Sequence, residues 1–373
     1  MTENRWKVLI DRDDITKAEL VDAKAAELQD GQIEAALRHF AMTANNITYA
    51  AIGNMKGIVA PDGCYWDFFP SGAEGKGLGP VWGYGEVVRS KCDGIKEGEM
   101  LYGYFPLASH LVMQPGKITD GGFVDDMPHR RELASAYQNY TRLGASPQIE
   151  AKERDLMPVF KPLQVTGFCI ADQLQDNDYY GAEQIVLASA SSKTAMMAAR
   201  SLNAQEGRPK TIGLTSAANR AYVEGTGLYD QVVTYDGIES LKAGTPTAYV
   251  DMAGSGEITK RIHSHFGDAL TLSLGVGMSH WQEVSMDVMS GQGLPGPKVT
   301  GFFAPGQIQK RAKDWGAQGL QERLDKSWRD AMSIADSLTE IERHTGAKEA
   351  LKTFLQAARG HINPGKSVIV EVG

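Results

Sequence analysis

The sequence predicts an α/β chain: a small antiparallel β-barrel interrupted by a doubly wound parallel-sheet domain. Three observations predict it. The first 160 residues read as short strands separated by Gly, Pro and Asp turns. From Glu183 onward, continuous apolar runs alternate with helical segments, as in a parallel sheet covered on both faces. The chain closes on a strand-like KSVIVEV after the turn Asn363-Pro364-Gly365, which would return it to the first domain.

The barrel strands follow in order. KVLIDR opens and IEAALRHFAMT comes next; VWGYGEVVRS and MLYGYFP are joined by KCDGIKEGE. The stretch Pro158–Pro162 then gives way to a helical segment near Thr166–Leu174. In the second domain the pairs are QIVLAS with KTAMMAARSL, TIGLTS with ANRAYVEGTG, and QVVTYD with GIESLKAG. TAYVDM with GEITKRIHSHFG and then LTLSLGVG complete the set. After KVTGFFAPGQ, a helix is expected over Leu320–Ile341. Leu320, Leu324, Trp328, Met332, Ala335 and Leu338 recur there at helical spacing, with Glu322, Asp325, Arg329 and Asp336 between them.

At 373 residues and 40.5 kDa the chain is long enough for two domains with their own cores. A formal charge of −8 argues against nucleic acid or an anionic membrane as partner. Cys64, Cys92 and Cys169 are widely spaced and form no C-x-x-C pair, which fits a reducing cytoplasm. No signal-peptide core opens the sequence, and no apolar run reaches the length of a membrane span. A cytoplasmic location is expected.

The first strand of the second domain runs into Ser189-Ala190-Ser191-Ser192, followed by Lys193 and Thr194. Where this turn binds a diphosphate, glycine usually lets the backbone approach. Ala195, Ala198 and Ala199 give the helix behind it a small-sided face, the close packing a third glycine would allow. Serine and alanine would serve here if the backbone stays at negative φ. Ser189, Ser191, Ser192 and Thr194 then supply hydroxyls, Lys193 a charge, and the helix N-terminus free N–H groups. The alternative is a plain serine-capped helix. A magnesium-nucleotide loop is a poor fit, because Leu187 stands where its first glycine would wrap the phosphate.

The second strand ends in Thr215-Ser216, with Asn219 and Arg220 close behind. An NAD site places a carboxylate there for the ribose hydroxyls. With none to repel a 2′-phosphate and an arginine to meet it, NADP(H) is favoured. Tyr235, after the third strand, either lies against adenine or belongs to the core. Ala253 and Gly254 follow the fourth strand, and Gly275, Val276 and Gly277 the fifth, where backbone can approach the nicotinamide or its ribose. Trp82, Tyr84 and Phe302 shape the cleft, Phe302 on its cofactor side.

LGPVWGYGEVVRSKCDGIKEGEMLYGYFP and QIVLASASSKTAMMAARSLN resemble the medium-chain dehydrogenase/reductase superfamily. VDMAGSGEI, VGMSHW and FFAPGQIQKRAKDWG resemble, more narrowly, a zinc-free branch close to a domain of unknown function. The resemblance implies a GroES-like barrel over residues 1–165 and 316–373, and a Rossmann domain over 166–315. It also implies NADP(H), substrate in the cleft and often a homodimer. Zinc members carry a cysteine and a Gly-His-Glu block where this chain has TANNITYAAIG and VWGYGEVV. His263 and His265, two apart on a helix, do not converge on one ion. No metal is expected.

Hydride transfer without metal needs a donor that polarises the acceptor oxygen or supplies its proton. In zinc-free reductases that group often comes from the region matching Asn45-Asn46-Ile47-Thr48-Tyr49. Tyr49 would donate and Asn46 would hold a carbonyl oxygen; otherwise Tyr49 is a buried phenol satisfied by backbone. His280 is a further acid candidate at neutral pH. The function expected is NADPH-dependent, zinc-independent reduction of a small-molecule ketone, enone or quinone. The alternatives are an NADP-binding lyase that cleaves a carbon–carbon bond beside a carbonyl, and a non-catalytic NADPH sensor.

Overall fold

The structure, a computed structural model, describes residues 5–145, 149–252, 254–276 and 293–373. The chain divides into two compact units: one runs to Val159 and resumes over Ile341–Gly373, and the other spans Phe160–Glu340.

The first unit is built on antiparallel strands. β1 (Trp6–Asp11) pairs with β2 (Ala18–Asp22) and, on its other side, with β4 (Lys76–Leu78). The larger sheet centres on β3 (Ile33–Met42), nearly all of whose side chains are buried. One edge of β3 meets β5 (Pro80–Ser90), which continues through β6 (Met100–Pro106) to β10 (Asn139–Gly144), β9 (Gly122–Asp125) and β8 (Pro115–Gly116). The other edge is shared by β7 (His110–Met113), at the beginning of the strand, and by the last strand β18 (Lys366–Glu371), at its end. Register shifts at Glu34/Ala35 and Leu37/His39 mark bulges that bend β3. The closing strand does return to the first unit, preceded by β17 (Glu340–Thr345) and helix α7 (Ala347–Ala358).

Between β3 and β4 lie helix α1 (Ala44–Ala51) and a 3-10 turn at Tyr65–Phe68. The Trp66 indole of that turn is clasped by two glycines. A Cβ on Gly53 would stand 2.3 Å from its Nε1 edge, and one on Gly77 2.2 Å from its benzo ring.

Among its described residues the second unit holds six parallel strands: β11 (Gln184–Ala188), β12 (Lys210–Thr215), β13 (Gln231–Thr234), β14 (Thr247–Asp251), β15 (Leu270–Gly275) and β16 (Val299–Gly301). Their spatial order is β13-β12-β11-β14-β15-β16. This is the doubly wound arrangement, with its switch point between β11 and β14. Every side chain of β11 and β14 is buried, which is why both read as unbroken apolar runs. The helices α3 (Lys193–Asn203), α4 (Arg220–Gly225) and α5 (Gly256–Phe266) follow β11, β12 and β14.

Three boundaries differ from the sequence reading. The helix expected from Thr166 is α2, Ala151–Asp176, and runs straight through Pro158 and Pro162. Proline at 158 leaves the Arg154 carbonyl without its helical partner. A buried face including Leu156, Val159, Phe160 and Leu163 holds the turn in place. The helix expected over Leu320–Ile341 begins earlier, as α6 (Ala304–Met332), bends at Gly316 and gives way to a 3-10 turn at Ala335–Leu338. Residues 316–340, expected in the barrel unit, therefore pack with the parallel sheet. The ties are specific: Arg200 forks onto Asp330 at 2.7 and 2.6 Å, Gln164 donates to Ser327 at 2.8 Å, and Arg311 donates to buried Asp172 at 2.7 Å.

Candidate active site

The parallel registers bring the ends of β11 to β16 to one edge of the sheet, so Ser189–Thr194, Thr215–Arg220, Tyr235, Gly254, Gly275, Val276 and Phe302 share that carboxyl edge. Four hydrogen bonds stitch neighbouring loops. Ser189 N–H donates to the Tyr235 hydroxyl at 3.2 Å, and Asn219 Nδ2 to Ser191 Oγ at 3.2 Å. Val276 N–H reaches the Asp251 carbonyl at 2.8 Å, and Phe302 N–H the Gly275 carbonyl at 2.8 Å. Tyr235 thus braces the turn from below and packs on the core as well.

The turn departs from the expectation of negative φ throughout: Ser189 stands at φ 52. That is the left-handed conformation the first glycine of G-x-G-x-x-G usually takes, here carried by a serine. The frame then falls on Ser189, Ser191 and Thr194, each with a side chain where bare backbone is usual. Ser192 is the N-cap of α3, its Oγ accepting from Ala195 N–H at 3.2 Å. The capping alternative is therefore true of Ser192, while Ser189, Ser191 and Thr194 are not its caps. Ser192→Ala is expected to cost about 1 kcal/mol in urea unfolding, the loss of one cap.

Lys193 does not project its charge outward as the sequence suggested; only 9% of it is exposed. Burial pulls its ionisation down from 10.5 to about 8. Between those values the unfolded chain holds a proton that the folded chain has released, so stability rises with pH across that window. The penalty is carried in full below it. Lys193→Met should accordingly raise the melting temperature more at pH 7 than at pH 10.

At β12 the Thr215 hydroxyl is buried without a hydrogen-bond partner among the described residues. Arg220 is mostly exposed and holds Glu224 one turn on, at 2.8 Å. A surface pair of this kind contributes well under 1 kcal/mol, so it yields readily to a stronger anion. Sequence reasoning missed Asp251. This buried carboxylate accepts from Gly254 N–H and the Thr259 hydroxyl, both at 3.1 Å, and shapes the loop after β14.

In the first unit α1 carries Asn45, Asn46 and Tyr49. Asn46 is not available as a carbonyl holder. Its Oδ1 accepts from Thr43 N–H at 2.7 Å and its Nδ2 donates to the Pro80 carbonyl at 2.8 Å, closing a capping box. Tyr49 is 6% exposed, and its oxygen receives Asn45 Nδ2 at 2.7 Å and Trp82 Nε1 at 3.3 Å. It is satisfied by side chains, not by backbone. Around it stand Tyr65 and Tyr104, with ring centroids at 5.0 and 5.4 Å, and Tyr137 at 5.8 Å. Burial, then Tyr137, push the Tyr49 ionisation well above the ordinary range; the donors Trp82 and Asn45 oppose this and lose. The group is a neutral phenol, able to donate a hydrogen bond and reluctant to give up its proton.

Beneath the rings lies a buried ion pair that the sequence did not disclose. Arg130 donates to Asp125 at 2.6 Å and to the Tyr137 carbonyl at 2.6 Å, with its guanidinium 4.9 Å from the Phe69 ring centre.

Ala253, Gly277 and His280 lie outside the described residues. His263 and His265 are engaged in packing. Buried His263 bonds the Pro295 carbonyl and Ser273, and His265 the Leu241 carbonyl. Among the described residues no three His, Cys, Asp or Glu side chains are grouped to hold a metal ion, and no helix is long and apolar enough to cross a membrane.

The family described as "Protein of unknown function (DUF2855)" matches residues 40–363. The chain belongs to that family. Its fold recurs in solved structures. CurA from Vibrio vulnificus is 14% identical, with TM-score 0.62 over 99% of each chain. CurA in complex with NADPH, from the same organism, is 12% identical at TM-score 0.61, again over 99% of each chain. A quinone oxidoreductase of Pseudomonas syringae pv. Tomato DC3000 is 14% identical at TM-score 0.55, over 98% of this chain and 99% of that one. The likeness establishes the fold, a GroES-like barrel unit with a doubly wound Rossmann unit. No curated protein sequence matches the chain.

Proposed function

We propose that the protein is an NADPH-dependent, zinc-independent reductase of a ketone, enone or quinone. The observation that carries the reading is the carboxyl edge of the β13-β12-β11-β14-β15-β16 sheet, where a tight turn meets the N-terminus of α3 at the switch point. The fit of an NADP group rests on this chain's residues. Ser189 and Thr194 offer hydroxyls at the positive end of α3, β12 ends in Thr215-Ser216 without a carboxylate, and Arg220 opens the helix behind it. CurA, which shares the fold, has been solved with NADPH. The bound nucleotide would supply hydride.

The rest of the chemistry falls to Tyr49. As a neutral phenol it polarises the acceptor oxygen by a hydrogen bond, and a proton from water completes the reduction. Nothing among the described residues favours the lyase or sensor readings.

Titration with NADPH and with NADH, followed by nucleotide fluorescence, tests the binding half. Saturable binding that prefers NADPH is expected, and no saturation by either nucleotide would overturn the proposal. Arg220→Ala should cost about tenfold in NADPH affinity, one charge-assisted contact, and leave NADH unchanged. Loss of absorbance at 340 nm with a panel of enones, quinones and hydroxyketones tests the chemical half.

A further inference from the structure

The hydrogen bonds around Tyr49 have a direction. An amide nitrogen and an indole N–H can only donate. With Asn45 Nδ2 at 2.7 Å and Trp82 Nε1 at 3.3 Å, the phenol oxygen has its acceptor capacity filled, and its O–H is left only to donate. The Tyr137 ring packs edge-on against that of Tyr49, with centroids 5.8 Å apart. Asn45 and Tyr49 are four residues apart on α1 and so share a face; Trp82 comes from β5, opposite Tyr104 of β6. Asn45 and Trp82 are each partly exposed while Tyr49 is buried, which puts the hydroxyl just behind an accessible surface.

We propose that Asn45 and Trp82 are positioning residues that lock Tyr49 as a one-way hydrogen-bond donor, its O–H offered to a ligand oxygen. The ligand atom admitted is then an acceptor, a carbonyl or oxyanion oxygen, and not an ammonium or amide N–H. The inference rests on the reading of Tyr49 given above, and extends it to the residues that set its polarity. Asn45→Asp is the sharpest probe. The side chain keeps its shape but becomes an acceptor, which turns the Tyr49 proton toward itself and away from any ligand.

The test uses whole protein carrying ring-13C tyrosine, with the Tyr49 Cζ resonance identified by its disappearance in Tyr49→Phe. Asn45→Asp and Trp82→Phe should each shift that resonance without any substrate present. With NADPH and 2-cyclohexenone, kcat should fall about tenfold in Trp82→Phe and about a hundredfold in Asn45→Asp, with KM changed much less. Trp82→His, which restores an N–H, should recover most of the loss. A resonance that stays in place in both variants, or a kcat that ignores its movement, overturns the proposal. Wild-type protein that oxidises no NADPH with any carbonyl overturns the reductase reading instead, and the resonance shifts then decide by themselves whether Asn45 and Trp82 hold the hydroxyl.

Discussion

Tyr49→Phe is expected to lower kcat/KM for NADPH-dependent carbonyl reduction by about a hundredfold, the usual effect of removing one donor from a developing oxyanion. The substitution deletes one oxygen and keeps the ring that packs at 5.0 Å on Tyr65 and 5.4 Å on Tyr104. It also leaves the Asn45 amide and the Trp82 indole N–H without their acceptor. Because both are partly exposed, water can take over, and the stability cost should stay near the low end of about 1–3 kcal/mol. Urea unfolding beside steady-state kinetics separates the two effects. A variant with full activity removes Tyr49 from the mechanism, whatever happens to its stability.

Asp125→Ala is expected to be the most destabilising single change, about 3–5 kcal/mol, because it strands a buried guanidinium. Asp125 is 0% and Arg130 1% exposed. The carboxylate does more than neutralise: its Oδ1 also accepts from Gln114 N–H at 2.9 Å and Met127 N–H at 3.2 Å, which ties Gln114, between β7 and β8, to the start of the β9–β10 connection. Asp125→Leu combined with Arg130→Met should cost less than Asp125→Ala, since it removes the charge together with its partner. Equilibrium urea unfolding monitored by circular dichroism measures both. A cost below about 1 kcal/mol for Asp125→Ala would mean that the pair is hydrated in solution. Arg130 also bonds the Tyr137 carbonyl, so the damage should reach a ring that packs on Tyr49.

What was legible in the sequence follows from burial. β11 and β14 are covered on both faces and so read as unbroken apolar runs, and their positions came directly from composition. The turn after β11 was legible as a place but not as a conformation. Nothing local marks Ser189 as left-handed, because the Tyr235 hydroxyl that receives its N–H comes from the turn after β13, far along the chain. α2 was misread for a similar reason. The prolines are real helix breakers in isolation, and the burial of Leu156, Val159, Phe160 and Leu163 that carries the helix through them is tertiary.

The candidate site divides along the same line. Tyr49 stood out by its motif, and Asn45 shares its helix face. Trp82, Tyr137 and Tyr65 arrive from separate strands and loops, where no spacing rule links them. Asn46 carried the right chemistry in a position that the start of α1 had already claimed.

The glycine clasp on Trp66 has an evolutionary consequence. Any side chain at Gly53 or Gly77 would collide with the indole, and a smaller residue at 66 would leave a gap that neither glycine can fill. Three letters scattered over the first eighty are thus inherited as a single mechanical part, and drift at one of them should be seen only with compensating change at the others.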